Sequence, residues 1–370
     1  MAAESCKKAK INVAVFFGGC SSEHGVSLSS ASSVILHLNR EKYEPVLIGI
    51  TKEGHWYFYE GSPEMIRDDG WEHSGCCTPA ALSPNRGEHR LLLFRPWGVD
   101  SLNIDIALPV LHGRNGEDGT LQGLLELAGI PIAGCGTLAS ALCMDKDRAH
   151  KLAALSGVRV PKALVLKQGD AFGDAETFAG ETGYPLFVKP VKAGSSYGVT
   201  KVSAPEQLAS AVALAFRYDN EVILEENIDG FEVGCAVLGT NDLITGEVDE
   251  IELSGGFFDY TEKYTLKTSA IHVPARIAPE KAEEIKETAK KIYRALGCSG
   301  FARVDLFLTH DGEIFFNEVN TIPGFTEHSR YPGMMKAAGY SFADILNMIL
   351  EQQEYLPHTN SANVCSTCAS

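Results

Sequence analysis

Positive charge is scarce in this chain of 370 residues: 32 lysines and arginines stand against 48 aspartates and glutamates, a formal net charge of −16. Nucleic acid and anionic membrane surfaces both need a basic face, so the balance argues against either as a partner. Long apolar runs are missing too. None approaches the roughly 18 residues that suggest a membrane-spanning helix. The stretch from Met1 to Lys10 is polar and lacks the apolar centre of a secretory signal. The expectation is a cytoplasmic protein. The 10 cysteines lack the spacing of a disulfide framework. Cys76 and Cys77 are adjacent, and Cys365 and Cys368 form one CxxC in a small-residue tail; without a second pair this is a poor zinc signal. No internal repeat is present.

What the chain does have is glycine, 36 residues of it, and a hydrophobic content of 45%, which fit a globular α/β protein. Its length exceeds one ordinary core, so two or three domains are expected. Ile11–Phe17 reads as a buried strand closed by Gly18-Gly19, followed by a helix from about Ser27 to Leu38 and a second strand at Val46–Ile50. Trp56–Tyr59 and Ile104–Leu111 are further strands, and residues 61–90, rich in Gly, Pro, Ser and charge, read as an inserted excursion. This alternation predicts a doubly wound parallel sheet. Beyond Cys143 come a helix ending at Gly157, strands at Leu186–Pro190 and Val222–Glu226, a helix from Pro279 to Leu296, and a last helix from about Ser341 to Gln352.

The run Phe316-Asn317-Glu318-Val319-Asn320-Thr321-Ile322-Pro323-Gly324-Phe325 carries the clearest chemistry. A strand delivers Glu318 and Asn320 two residues apart, hence onto one face. Just upstream, Arg303 and Asp305 share a face of the strand Gly300–Phe307. Thr309-His310-Asp311-Gly312 reads as a hairpin turn, so the strands pair and Asp305 comes beside Glu318. Oxygen donors on one face, next to a glycine that lets backbone approach a ligand, suit Mg²⁺ held against phosphates.

Lys189 ends a buried strand, where an amine is costly unless an anion awaits it. The following loop, Ala193-Gly194-Ser195-Ser196-Tyr197-Gly198, offers backbone N–H groups and hydroxyls to phosphates, although it departs from the GxxxxGK[ST] pattern.

Together these segments resemble the ATP-grasp fold, in which two α+β domains clamp ATP. The resemblance narrows to the D-alanine–D-alanine ligase family through Gly18-Gly19-Cys20-Ser21-Ser22-Glu23, His112-Gly113 with Gly116-Glu117-Asp118-Gly119, Met144-Asp145-Lys146, Val188-Lys189-Pro190 and Glu318–Gly324, in order from about residue 11 to 352. It implies a three-domain ligase of mixed α/β and α+β class. The N-terminal doubly wound substrate-binding domain spans 1–142, the central ATP-grasp subdomain 143–228 and the C-terminal subdomain 229–356, with a disordered tail over 357–370.

The same resemblance implies the roles. Lys146 and Lys189 contact ATP phosphates, with Ser195, Ser196 and Lys263 also at the nucleotide; Glu225 and Glu232 surround adenine and ribose. Asp305, Glu318 and Asn320 hold two Mg²⁺ ions, which Mn²⁺ can replace. A first D-alanine becomes an acyl phosphate, a second amino acid attacks it, and Arg303 with the Gly324 N–H stabilises the tetrahedral oxyanion. Glu23 binds the first ammonium, and His112 lies beside the first carboxylate. Gly255–Tyr264 is similar to the family's ω-loop, about residues 250–275, a lid that excludes water; its Tyr264 bonds Ser195 and Glu23. The loop keeps Glu262-Lys263-Tyr264, which points to an amine rather than a hydroxyl nucleophile. At Ser329-Arg330, housekeeping members carry leucine in place of arginine. A guanidinium there adds donors, so the chain most closely resembles D-alanine–D-serine ligases of the VanG type, with D-alanyl-D-alanine formation as the alternative. D-alanine and D-serine are then the substrates, vancomycin resistance through a modified peptidoglycan terminus the role, and a homodimer the expected assembly.

Overall fold

The computed structural model describes residues 9–194, 197–253 and 269–354. Ser195, Ser196, Lys263, Tyr264, most of the expected lid and the C-terminal tail lie outside them.

Three sheets organise the chain. The first has seven strands: β1 (Ile11–Gly18), β2 (Tyr43–Ile50), β3 (Trp56–Tyr59), β4 (Cys77–Leu82), β5 (Arg90–Arg95), β6 (Gly98–Asn103) and β7 (Ile106–Pro109), in the order β6-β5-β4-β3-β2-β1-β7. From Val13 to Phe17 no polar side chain interrupts β1, and all five residues are 0% exposed. It lies parallel to β2 and β7, as a strand buried on both faces does in an α/β sheet. The parallel core is these three strands; from β3 onward the sheet continues antiparallel. Of this extension β4 and the first residue of β5 come from the segment expected as an excursion, which also forms a short helix, Pro63–Arg67, and buries Trp71 against Phe17 and Tyr59. The first long helix begins at His24 rather than Ser27, immediately after Glu23.

The middle sheet is antiparallel: β8 (Ala163–Lys167), β9 (Leu186–Pro190), β10 (Thr200–Val202) and β11 (Glu221–Glu226), in the order β10-β9-β11-β8. Helices Phe172–Thr182 and Pro205–Ala215 bury Ala175, Ala179, Leu208 and Ala211 against Val188 and Leu224.

The last sheet comprises β12 (Gly230–Leu238), β13 (Ile244–Thr245), β14 (Asp249–Leu253), β15 (Ser269–His272), β16 (Phe301–Thr309) and β17 (Ile314–Asn320). Its main path runs β15-β14-β12-β16-β17, with β13 beside β12. Helix Pro279–Ala295 buries Ile285, Ala289, Ile292 and Tyr293, a helical stripe, against it.

Strand β17 is not a regular alternation. Leu306 pairs with Phe316 and Asp305 with Glu318, so Asn317 has no partner in the register. Plain period 2 would put Phe316 on the face of Glu318 and Asn320. The bulge shifts the phase instead: Ile314, Phe316 and Val319 are buried, while Glu318 and Asn320 turn the other way and are half-buried.

Candidate active site

The β16–β17 hairpin brings the expected oxygen donors together. Arg303 stands opposite Asn320 and Asp305 opposite Glu318. Asp305 is 1% exposed, and such a charge must be compensated. The Arg303 guanidinium does so: its Nε donates to Oδ1 at 2.8 Å and its Nη2 to Oδ2 at 2.7 Å, and Asn320 Nδ2 adds a bond to Oδ2 at 2.9 Å. Two cross-strand carboxylates and one amide oxygen, with no sulfur or imidazole, are a hard donor set of the kind Mg²⁺ takes. Glu318 lies 3.9 Å from Lys146 Nζ.

Arg330 is at the centre of a second cluster. It starts the helix Arg330–Ala337, with its side chain 9% exposed. Its Nε and Nη2 donate to the two oxygens of Asp249 at 2.7 and 2.8 Å, and its Nη1 to Glu232 at 2.8 Å, with Asp305 Oδ1 at 3.4 Å. Burial works against this charge, but Asp249, Asp305 and Glu232 outweigh it and hold the guanidinium protonated. Most of the donors that Arg330 brings to this place are thus engaged by acids. Glu232, expected near the nucleotide, is one of those acids. Asp249 gave no signal in the sequence. Gly234 could have, since a glycine inside a strand marks a close approach: a Cβ there would lie 2.5 Å from Arg330 Nη2 and 2.6 Å from Asp249 Oδ1.

The two lysines expected at the phosphates converge on Glu225. Lys146 Nζ donates to Ala193 O at 2.8 Å, in the glycine-rich loop. Lys189 Nζ donates to Glu225 Oε2 at 2.6 Å, both side chains buried. Burial pushes the Glu225 carboxyl up, but the charges of Lys189, His150 and Lys146 more than reverse this and leave it below its usual range. The buried amine thus has a carboxylate of its own rather than waiting for phosphate alone.

Glu23 precedes the first long helix without capping it by its side chain. Its carboxylate sits in a cradle of two glycines: a Cβ on Gly113 would lie 2.6 Å, and one on Gly194 2.8 Å, from Oε2. Ser21 Oγ, which donates to His112 O at 2.6 Å, accepts the Glu23 N–H.

His112 is buried. Its Nδ1 is 2.8 Å from Ile322 O and its Nε2 3.1 Å from Ser30 Oγ. A carbonyl only accepts, so Nδ1 carries the proton. Burial lowers the His112 pKa, against the pull of Glu23, and keeps the ring neutral. Glu117, not singled out beforehand although it lies in the Gly116–Gly119 motif, accepts the N–H groups of Gly113 at 2.6 Å and Ile322 at 3.3 Å. Burial, with Glu23 nearby, pushes its carboxyl up to about 8. Ser30 accepts the Phe325 N–H at 3.1 Å.

These contacts strap Ile322–Phe325 to the first long helix and to the segment that follows β7. Ile322 and Phe325 have their N–H groups occupied and Pro323 has none. The Gly324 N–H has no acceptor among the described residues, and neither does Arg303 Nη1. Two unused donors thus flank the β16–β17 hairpin. Ser329 Oγ, which accepts the Thr326 N–H at 3.0 Å, lies 3.1 Å from where a Gly324 Cβ would be.

Comparison with known proteins gives concordant results. Residues 12–135 match the family described as D-ala D-ala ligase N-terminus, and residues 152–351 the family described as D-ala D-ala ligase C-terminus. The solved structure of VanG D-Ala:D-Ser ligase from Enterococcus faecalis superposes with a TM-score of 0.87 at 54% identity, covering 93% of this chain and 100% of that one. Vancomycin B-type resistance protein VanB of Enterococcus faecalis is 46% identical over 92% of this chain and 98% of its own length. A D-alanine–D-alanine ligase of Caldicellulosiruptor bescii is 42% identical over 92% of this chain and 94% of its own.

Proposed function

The chain belongs to the D-alanine–D-alanine ligase family, and from that premise we propose that it joins D-alanine to D-serine at the expense of ATP, through a D-alanyl phosphate. The observation that carries the ligase reading is the pair of unused donors, Arg303 Nη1 and the Gly324 N–H, beside the metal hairpin. Nucleophilic attack on an acyl phosphate turns the carbonyl oxygen into an oxyanion, and fixed donors aimed at that oxygen are each worth about 3–4 kcal/mol.

The chain's residues divide the work. Lys146 and Lys189, with the loop after β9, bind the ATP phosphates. Asp305, Glu318 and Asn320 hold the divalent cations, which when bound neutralise charge on the transferring phosphoryl group. Glu23, in its glycine cradle, takes the ammonium of the first D-alanine and leaves the carboxylate free to attack the γ-phosphorus with ADP as leaving group. The free amine of the second substrate then attacks the carbonyl carbon; Arg303 and Gly324 hold the oxyanion until phosphate departs and the amide forms.

D-serine as acceptor is supported by the Arg330 cluster and by the likeness to VanG. Arg330, six residues beyond Gly324, forms an ionic network with Asp249 and Glu232; a second substrate bound against it would present a methyl group to charge or a hydroxyl to hydrogen-bonding groups. In this reading the enzyme is a cytoplasmic homodimer whose product modifies the peptidoglycan terminus and confers vancomycin resistance.

The test is ATP-dependent ligation with D-alanine alone and with equal D-alanine and D-serine near neutral pH. The mixed dipeptide should predominate. Predominant D-alanyl-D-alanine would sink the D-serine assignment and leave the ligase standing.

A further inference from the structure

His150 lies one turn beyond Lys146 on the helix Lys146–Leu155, so the two share a face. It is buried, with its ring edge-on to Phe316 at 5.3 Å between centroids. Its Nε2 is 2.7 Å from Asn317 O. A carbonyl only accepts, so Nε2 carries a proton. Asn317 is the bulge residue left out of the β16–β17 register. A bulge locally breaks the ladder, and His150 gives the Asn317 carbonyl a donor from outside it. On the other side of the ring, Nδ1 is 3.8 Å from Glu225 Oε1, and neither atom has a hydrogen-bond partner. The other oxygen of Glu225 holds Lys189. One imidazole thus stands between the strand of the metal ligands and the carboxylate that orients a phosphate lysine.

We propose that His150 is a positioning residue: by clasping the Asn317 carbonyl it fixes the bulge that aims Glu318 at the metal site, and its far edge keeps the Glu225–Lys189 pair in step with that strand. The inference rests on the ligase reading only in taking Glu318 and Asn320 as ligands of a nucleotide-bound cation. The residue itself touches neither.

The test measures Mn²⁺ binding in the presence of ADP, read as loss of the free-ion electron paramagnetic resonance signal, on the full chain and on His150→Phe, His150→Gln and His150→Asn. Phenylalanine keeps the ring packing without a donor. Glutamine places an amide nitrogen near the position of Nε2, asparagine near that of Nδ1. His150→Phe should weaken Mn²⁺ binding by about 10-fold or more, as loss of a supporting hydrogen bond behind metal ligands does. His150→Gln should recover most of the affinity, His150→Asn should not, and KM for D-alanine should hardly move. Wild-type affinity in His150→Phe, or equal recovery by asparagine and glutamine, overturns the proposal; if the phenylalanine variant does not fold, the glutamine–asparagine contrast decides. A wild-type chain that binds no Mn²⁺ with ADP would sink the ligase reading and this inference together, whereas equal binding in all four proteins sinks the role of His150 alone.

Discussion

Replacing Arg330 by leucine should destabilise the protein far more than loss of a surface arginine. Asp249 is 0% exposed and takes both its guanidinium bonds from this one residue, at 2.7 and 2.8 Å. Leucine leaves that carboxylate buried and unpaired, with Glu232 and Asp305 close by and Arg303 as the remaining cation of the cluster. Removing one partner of a buried ion pair costs about 3–5 kcal/mol. The stranded charge makes up much of that cost, so a second change that neutralises it should recover part. Arg330→Leu/Asp249→Asn should therefore be more stable than Arg330→Leu alone by about 2 kcal/mol, within the usual range of coupling between contacting residues. Pulse proteolysis across a urea series suits a protein of several sheets, because it reports the fraction of globally cleavable chain. A single variant within about 1 kcal/mol of wild type, against the expected loss, would refute the reasoning, as would a double variant no more stable than the single. The comparison also guards the substrate test: a drop in D-serine ligation by Arg330→Leu is interpretable once the double variant, with stability partly restored, shows the same preference.

Gly234→Ala should cost about 1–3 kcal/mol by overpacking, measurable in the same assay, because its Cβ would press on Arg330 Nη2 at 2.5 Å. Glu318→Ala should lower kcat by about 100-fold or more and abolish ADP-dependent Mn²⁺ binding; full activity would overturn the metal assignment. Glu117 predicts a pH effect. Its carboxyl is raised from 4.5 to about 8 in the folded chain, so between those values the native state holds a proton that the unfolded state has released. Its contribution to stability then falls as pH rises through that window, by up to about 1.4 kcal/mol per pH unit. Glu117→Gln should flatten the decline in urea stability from pH 5 to 8, and an unchanged slope would show that the carboxyl titrates normally.

The β16–β17 hairpin was legible because its information is local. Thr309–Gly312 marks the turn, and spacing by two places Arg303 with Asp305 and Glu318 with Asn320; the register bears this out. The bulge at Asn317 was not legible, since no glycine or proline marks it and its donor, His150, comes from a helix 167 positions upstream. The partners of Arg330 lie 81 and 98 positions upstream on other strands, where only the sheet order makes them neighbours. The segment 61–90, read as an excursion, holds strand β4, Cys77–Leu82, whose Pro79 and small residues disguise a strand.

The strap over Ile322–Phe325 has a consequence for recombination between relatives. The Gly324 donor is carried by one end of the chain, but its backbone is anchored by Ser30, His112 and Glu117, from the other. A chimera joined anywhere between Glu117 and Ile322 can keep every motif residue and still lose the placement of the Gly324 N–H, through a mismatch in three hydrogen bonds that no motif records. Ancestry of the two ends, rather than conservation of either, then decides whether the hybrid works.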